Sequence, residues 1–401
     1  MLDLVAPAGT PVPFSFLLKS LFPLPDSKER GDSFIDKIQQ EYSIEYCYLL
    51  STGRGALYFI LQAAKQLADP EKREVIIPAY TCFSVPSAIV KAGLRIRLVD
   101  IDPRTLDYNY SQLEGVDSKD GLAVMACNLF GILSDMHKLE RIAGENQLYL
   151  IDDAAQSMGS RHGSKYSGTF GDAGIFSLGR GKNMTAYEGG VLVTNNDRIA
   201  GKIDDSITEL AKPSIKAEIK AFSNLLFYSL FLRPRLYWIP ARIPFLHLGE
   251  TVFDPDFKLS QLSGIQKSVS ALMFNELSGI NSIRKKNALA IGQALIDNGS
   301  YMIPGYTESN CPAYIRLPVI CPNNSWRDRA IQKLVSRGIN ATIMYPCGIH
   351  QIPGIREHLG PDCGHFPGAE MVADRLLTIP THPYLKQTHI ETIISTLAEM
   401  K

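Results

Sequence analysis

An α/β fold built on a large, mostly parallel sheet is predicted by three observations. Short apolar runs bounded by turn residues alternate with segments of helical periodicity between Cys47 and Thr194. Four of these runs end in turns rich in glycine, hydroxyl or charged residues: Ser51-Thr-Gly-Arg-Gly55, Pro78-Ala-Tyr-Thr-Cys82, Asp152-Asp-Ala-Ala-Gln156 and Gly179-Arg-Gly-Lys-Asn183. From Ser260 the pattern changes to one long amphipathic helix, followed by a shorter α/β stretch. Such alternation buries a parallel sheet between two layers of helices, and ligands then sit beyond the carboxyl ends of the strands. Convergence of the four turns on one crevice is the central expectation.

The elements follow in order. Residues 1–30 carry several prolines and are expected to form an extended arm lying on the body or on a partner, with a short helix from Phe34 to Tyr42 after it. Cys47–Leu50 reads as a strand ending at the first glycine turn. Ala56, Ile60, Ala63, Ala64 and Leu67 then recur at helical spacing, so that turn opens a helix. Free amides and the helix dipole make such an opening an anion site; the plainer alternative is an ordinary tight turn. Glu74–Ile77 is the next strand, Ser84–Ala92 the next helix, and Arg95–Asp100 and Gly121–Met125 are further strands. A helix over 135–145 leads into the strand Leu148–Asp152. Ile175 and Phe176 lead into the lysine turn, and Gly190–Thr194 returns as a strand. The long helix shows an apolar face from Leu262 to Ile283. Beyond it, Tyr314–Pro318 and Ala341–Tyr345 read as strands, and 325–337 and Gly368–Leu377 as helices. This divides the chain into a large domain over 1–260 and a linking helix with a smaller α/β domain over 261–401.

Composition excludes several classes. Forty-one basic and forty-one acidic side chains cancel, and no dense Lys/Arg tract occurs, so nucleic acid is not an expected partner. The seven cysteines (47, 82, 127, 311, 321, 347 and 363) are odd in number and form no Cys-x-x-Cys pair. That points to a reducing, cytoplasmic setting rather than a disulfide framework. His350, His358, Cys363 and His365 lie close in sequence, but prolines and glycines break any ligand spacing, and no metal is expected. The N-terminus lacks the basic and apolar regions of a signal peptide.

A lysine on a glycine turn and an aspartate at a neighbouring strand end suit one cofactor especially well, pyridoxal 5′-phosphate. Its aldehyde needs a lysine amine and its ring nitrogen an acidic partner. Lys182 and Asp153 are the candidates. A lone lysine is more often a solvated surface charge; the two flanking apolar strands argue otherwise. Asp152, one residue earlier, points to the other side of the strand and is read as a solvent-facing or capping carboxylate.

Several ordered motifs carry a family resemblance. Ser51–Leu57 (STGRGAL), 76–93 (IIPAYTCFSVPSAIVKAG), 99–107 (VDIDPRTLD), 151–156 (IDDAAQ), 170–183 (FGDAGIFSLGRGKN), 188–195 (EGGVLVTN), 344–353 (MYPCGIHQIP) and 366–383 (FPGAEMVADRLLTIPTHP) resemble the DegT/DnrJ/StrS-type sugar aminotransferases. These are pyridoxal phosphate enzymes of fold type I, and the match spans most of the chain except about 205–256. The resemblance implies an amino transfer, with glutamate the usual donor, onto a keto group of a nucleotide-activated sugar, in polysaccharide-type biosynthesis. It also implies a homodimer with shared active sites. It assigns Lys182 to the cofactor aldehyde, Asp153 to the ring nitrogen and Gln156 to the ring hydroxyl. The phosphate falls to Ser177, to the Gly53-Arg54-Gly55 turn through the amides of Arg54 and Gly55, and to the Arg54 guanidinium. Relatives turned dehydratases carry histidine for the lysine, and Lys182 argues against that branch. Another fold type I activity on amino acids, of lyase type, and a non-catalytic cofactor-binding regulator are the alternatives.

Two departures stand out. Cys82 occupies the place of an aromatic ring on the cofactor face, with Tyr80, Phe83 or the smaller thiol itself as substitutes and plain core as the alternative. Asp256, Phe257 and Lys258 align with an Asn-aromatic-Arg loop that reaches a neighbouring subunit's phosphate, where an aspartate would be repelled. The poorly matching insert near 213–250 centres on 219–240. Its apolar core is too short to span a bilayer, and its apolar residues run nearly all round a helix. A helix buried against the body or a dimer partner is expected, with peripheral membrane contact as the alternative.

Overall fold

The computed structural model describes residues 3–22, 27–243, 251–297, 301–307, 311–360 and 364–400. Cys363 and residues 244–250 of the insert lie outside them. The first strands are β1 (Tyr46–Leu50), β2 (Glu74–Pro78), β3 (Arg95–Val99), the short pair β4 (Ile101–Asp102) and β5 (Asp107–Tyr108), β6 (Gly121–Cys127) and β7 (Tyr149–Asp153). A second short pair, β8 (Arg161–His162) and β9 (Lys165–Tyr166), precedes β10 (Ala173–Ser177) and β11 (Gly190–Thr194). Seven of these form one sheet in the order β1-β11-β10-β7-β6-β2-β3. Pairing is parallel from β10 through β7, β6 and β2 to β3, and β11 runs antiparallel to both of its neighbours. That single reversal leaves β1 pointing the same way as the other five. The carboxyl ends of β1, β2, β7 and β10 therefore open on one edge, as the turn motifs require.

Helices α1 (Phe14–Leu21) and α2 (Ser27–Tyr42) precede the sheet, and α3 (Gly53–Leu67), α4 (Ser84–Lys91), α5 (Tyr110–Leu113), α6 (Met136–Glu145) and α7 (Asp197–Ile207) are interleaved with its strands or follow them. The strand residues divide between the two faces with the period of two that a pleated strand dictates. Val75 and Ile77 pack with Leu57, Ile60 and Ala88 of α3 and α4. Ile76 and Val124 pack on the other face with Met136, Leu139 and Ile142 of α6. β2, β6 and β11 are buried along their whole length, which only a sheet covered on both sides allows.

The insert forms α8 (Ile215–Phe231) and α9 (Pro234–Ala241), and α10 (Gly264–Asp297) is the predicted linking helix. The smaller C-terminal α/β unit holds β12 (Arg316–Ile320) and β13 (Leu376–Pro380), paired antiparallel, with α11 (Asn324–Ser336), α12 (Pro367–Arg375) and α13 (Gln387–Ala398).

Three sequence expectations need correction here. The first 30 residues are an extended arm only up to Pro13; α1 follows, with Leu17 and Ser20 turned inward. Ala341–Tyr345 is not a strand, and Thr342 alone bridges to Thr378. The end of the predicted helix at Gly368–Leu377 belongs instead to β13, a fully buried run. An isolated apolar run of that length has no period to separate helix from strand, and its pairing with β12 decides the matter.

Asp152 is the fourth correction. It faces away from Asp153, as alternation predicts, but it is neither solvent-facing nor a plain cap. Its carboxylate is wholly buried. It accepts from Asn128 Nδ2 (2.7 Å) and from the amides of Gly168 (2.6 Å) and Phe170 (3.3 Å). Burial nevertheless raises its pKa from 3.8 to about 7, against those three donors. The folded protein thus keeps a proton that the unfolded chain releases. This group's contribution to stability falls as pH rises from 3.8 to about 7, and is level above that. Asn128 cannot turn its amide to suit a neutral partner, because its Oδ1 already accepts from Ser134 N. Asp152→Asn is therefore expected to be less stable than wild type by about 1–3 kcal/mol. In urea unfolding series the wild-type advantage shrinks between pH 5 and pH 7; an advantage that grows over that range would contradict the assignment.

Candidate active site

The lysine turn is fixed from both sides before any ligand is considered. β10 ends at Ser177, and Leu178 bonds back to Gly189 and Ala186 across the loop (2.9 and 3.0 Å). Lys182 N donates to Gly179 O (3.3 Å), closing the turn. Gly181 sits at φ +77°, and a Cβ there would stand 3.0 Å from Ala8 Cβ, so the turn needs glycine both for its conformation and for the approach of the arm. The Lys182 carbonyl is held by Thr10 Oγ1 (2.5 Å) and Arg284 Nη2 (3.3 Å). The backbone is anchored from behind while the lysine side chain stays half-buried on the open edge.

The turn after β1 lies directly beside it. A Cβ on Gly53 would stand 3.3 Å from Ser177 Cβ and 3.5 Å from its Oγ, so the start of α3 abuts the end of β10. Gly190 is tighter still, with Thr52 O only 2.3 Å from where its Cβ would be. Thr52 caps α3 by accepting from Gly55 N (3.1 Å), and Ala56 N bonds to Thr52 O (3.1 Å). The amides of Gly53 and Arg54 have no intrahelical acceptor, as at any helix start. Thus Ser177 Oγ and two first-turn amides share one small cradle whose width a single methyl group would close. That fits a phosphate. The amide of Gly55, assigned to the phosphate from the sequence, donates to the Thr52 cap, while Gly53, the other glycine of that turn, abuts Ser177. The Arg54 guanidinium is occupied differently from expectation: it pairs with Asp254 (3.2 Å) and lies over the Phe257 ring (4.8 Å).

Asp153 ends β7 on the same edge. Its carboxyl is buried deeply enough to raise its pKa, opposed by the Ala155 amide and by the charge of Lys182. The field of Lys182 therefore reaches Asp153, and the two predicted residues share one site. Among the described residues the only donor to this carboxylate is Ala155 N (3.0 Å), leaving acceptor capacity for a protonated ring nitrogen. Gln156 accepts from Phe130 N (2.9 Å) and donates to the Tyr345 hydroxyl (3.0 Å), which leaves one amide hydrogen for a ligand. Cys82 is half-buried beside Tyr345. Neither proposed aromatic substitute for it is free: Tyr80 is fully buried and donates to Tyr345 O (3.3 Å), and Phe83 stacks on the Tyr345 ring (6.0 Å). Tyr345, from the C-terminal unit, had no assigned role in the sequence, and it packs where Cys82 and Gln156 meet.

Phe257 is buried between Arg54 and Lys91 of its own chain (4.8 and 4.9 Å to the ring), while Asp256 and Lys258 remain exposed. The Asp256 amide donates to Asp254 Oδ1 (3.1 Å), the same carboxylate that pairs with Arg54. A groove of about 2260 Å³ opens past Asp102, Arg104, Asp135 and Lys138 and is lined by none of the predicted site residues. Among the described residues no cluster of three potential metal ligands occurs.

Arg284 was invisible to motif reading. It is 0% exposed, and no carboxylate pairs with it among the described residues. Nη1 donates to Ile315 O (2.8 Å) and Thr381 Oγ1 (3.3 Å), and Nη2 to Gly9 O (2.8 Å), Thr10 Oγ1 (2.9 Å) and Lys182 O (3.3 Å). Burial draws its pKa down to about 10, so it stays charged. The signal that could have found it is an arginine standing on the core side of α10, in line with Leu277 and Ile280. Arg284→Met leaves the Gly9 and Ile315 carbonyls without a donor, which is expected to cost roughly 1–3 kcal/mol each. Arg284→Lys should recover only part of that, since one ammonium cannot span both sets of acceptors. Urea midpoints check both variants, and full recovery by lysine would contradict the two-sided geometry.

Comparison with known proteins places this arrangement. The model of the DegT/DnrJ/EryC1/StrS aminotransferase family matches residues 28–398. The "Pleiotropic regulatory protein" of Geobacillus stearothermophilus is 27% identical over 350 residues, 86% of this chain and 82% of that one. The GDP-perosamine synthase of Escherichia coli O157:H7 is 34% identical over 163 residues, covering 41% of this chain and 44% of that protein. Among solved structures, the E. coli GDP-4-keto-6-deoxy-D-mannose-3-dehydratase with bound hydrated pyridoxal phosphate superposes with a TM-score of 0.76 at 19% identity, over 98% of each chain. The chain belongs to the DegT/DnrJ/EryC1/StrS aminotransferase family.

Proposed function

We propose that this chain is a pyridoxal phosphate-dependent aminotransferase that moves an amino group from an amino-acid donor, glutamate by the family's habit, onto a keto group of a nucleotide-activated sugar. The observation that carries this reading is the convergence of Lys182, Asp153 and the Ser177–Gly53 cradle on one sheet edge. The sugar nucleotide rests on the perosamine synthase likeness, which spans less than half of that protein.

The roles follow from position. Ser177 Oγ and the amides of Gly53 and Arg54 hold the phosphate. Gln156 uses its spare amide hydrogen on the ring hydroxyl. Asp153 would face the ring nitrogen, and a protonated nitrogen there would favour its ionised form against the cost of burial. When bound, the cofactor supplies an aldehyde for the lysine and a ring that draws electrons from the carbon bearing the amino group. Lys182 Nζ is the base that takes the proton from that carbon of the donor and later delivers it to the product. The anchored carbonyl of Lys182 lets its side chain move while its backbone stays still. A homodimer suits a site lying on an open edge, and the exposed Asp256 and Lys258 are the residues that a second copy would receive at its own site. Lys258 is the better phosphate partner of the two.

A second reading is favoured by one observation, the regulatory name of the Geobacillus relative. Cofactor binding without turnover would satisfy it. Purified protein is expected to be yellow, to lose its visible band on adding L-glutamate or L-glutamine, and to regain it with a keto-sugar nucleotide. Lys182→Ala should abolish borohydride-fixed cofactor. Asp153→Asn should retain bound cofactor yet react at least about 100-fold more slowly with the donor. A bound cofactor whose spectrum ignores every amino donor would favour the regulatory reading.

A further inference from the structure

We propose that the outer faces of α1 and α8 form a surface that docks on an anionic lipid bilayer. Fourteen large apolar side chains are exposed among the described residues, and eight of them lie on or next to these two helices. On and just after α1 they are Phe14, Leu18, Leu21 and Phe22 (45, 43, 49 and 71% exposed). On α8 they are Ile215, Ile219, Phe227 and Leu230 (78, 62, 42 and 36%). At about 100° per residue each set of four falls within roughly one third of the helical circumference. Leu17 and Ser20 of α1, and Leu225, Tyr228 and Ser229 of α8, take the opposite, buried face.

The two stripes share one side of the molecule. α1 and α8 pack on each other and both rest on α10. Ser229 Oγ ties α8 to Val12 O (2.8 Å), and Tyr228 receives the Thr10 amide (3.0 Å). Their outer faces therefore both look away from α10. Within its own chain α8 is buried against the body on one side, and its other side is exposed.

Charge identifies the occupant. Between residues 211 and 242, Lys216 and Lys220 stand at the edge of the exposed α8 stripe, Lys212 precedes it, and Arg233, Arg235 and Arg242 follow α8. All are exposed, in a chain of zero net charge, and Arg233 and Arg235 lie by a pocket that Asp3 also lines. The single acid of that segment, Glu218, is spent on the amides that open α10, those of Gly264 (2.7 Å) and Ile265 (3.0 Å). Arg242 stacks over Trp238 (5.3 Å), pairing a cation with an aromatic ring of the kind that favours a headgroup region. A second copy is the poorer occupant, because a twofold contact sets a patch against itself and would bring this basic rim against its own like. Anionic headgroups supply the opposite charge, and the apolar stripes enter the acyl boundary. No helix of the described residues is long and apolar enough to cross a membrane, so the contact is with one leaflet.

The experiment sediments the full-length, cofactor-loaded protein with phosphatidylcholine vesicles, with and without phosphatidylglycerol. At least about tenfold more protein should bind the anionic vesicles, and added salt should weaken the binding. Phe22→Glu/Phe227→Glu should lower binding about tenfold, with unchanged thermal midpoint, unchanged sedimentation coefficient and unchanged cofactor spectrum. Ile219→Glu provides an independent substitution on the same stripe should the double variant misfold. Equal or absent binding to both vesicle types would overturn the proposal. So would variants that keep binding, or variants that change the oligomeric state, which would assign the face to a contact between copies.

Discussion

The Arg284 guanidinium joins the lysine turn to two distant segments of the chain, the N-terminal arm and the C-terminal unit. Its donors reach the arm at Gly9 and Thr10, the lysine turn at Lys182, and the C-terminal unit at Ile315 and Thr381. Burying an isolated cation costs several kcal/mol after relaxation. Each charge-assisted bond to a neutral acceptor returns roughly 1.5–3 kcal/mol. Five such bonds offset that cost and hold the charged Arg284 in the core. It contributes uniqueness of arrangement: no other placement of three distant segments satisfies one fixed fork of donors. A lysine whose side chain has to travel during a reaction needs a backbone that does not, and this fork provides it.

The arm is therefore structural in its own right. Val5 is bridged to Ile339, Leu4 N bonds to Pro234 O in α9 (2.9 Å), and His382 meets Ala6 O (2.9 Å). Tyr228 of α8 then receives the Thr10 amide, and Thr10 in turn donates to Lys182 O. The insert that fits the family pattern least well is thus two hydrogen bonds from the residue that fits it best. Its inner face is constrained by that chain of contacts, and only its outer face is free to carry an additional role.

What was legible in the sequence was whatever one element could signal alone. The strand-and-turn alternation gave the sheet, because strands covered on both faces are short apolar runs with turn residues at their ends. The glycine turns gave the edge, because Gly53 and Gly181 are required by close approach and Gly190 by the Thr52 carbonyl behind it. Positions fixed by partners distant in the chain stayed hidden. Nothing local marks Tyr345 as the residue that lies against Gln156, nor Arg284 as a hub. β13 was misread as helix for the same reason, since only β12 makes it a strand. The capping role of Thr52 toward the Gly55 amide was hidden because Thr52 looks from the sequence like one more turn residue.

The neighbouring carboxylates Asp152 and Asp153 show how strand geometry divides labour between identical groups. Asp152 is fully buried and Asp153 half-buried, and desolvation is the largest cause raising both pKa values. Alternation along β7 then sends them to opposite sides. Asp152 meets three fixed donors of the protein and is fully used by the fold. Asp153 meets one amide and the field of Lys182, and its remaining acceptor capacity faces the open edge. A buried carboxylate with unspent acceptors is costly in the empty protein and is repaid when a cation arrives. In the proposed function, the same cost that makes Asp153 unfavourable for folding would favour a protonated ring nitrogen over a neutral one. Shifting the strand register by one residue would exchange the two environments and leave the site without its acid.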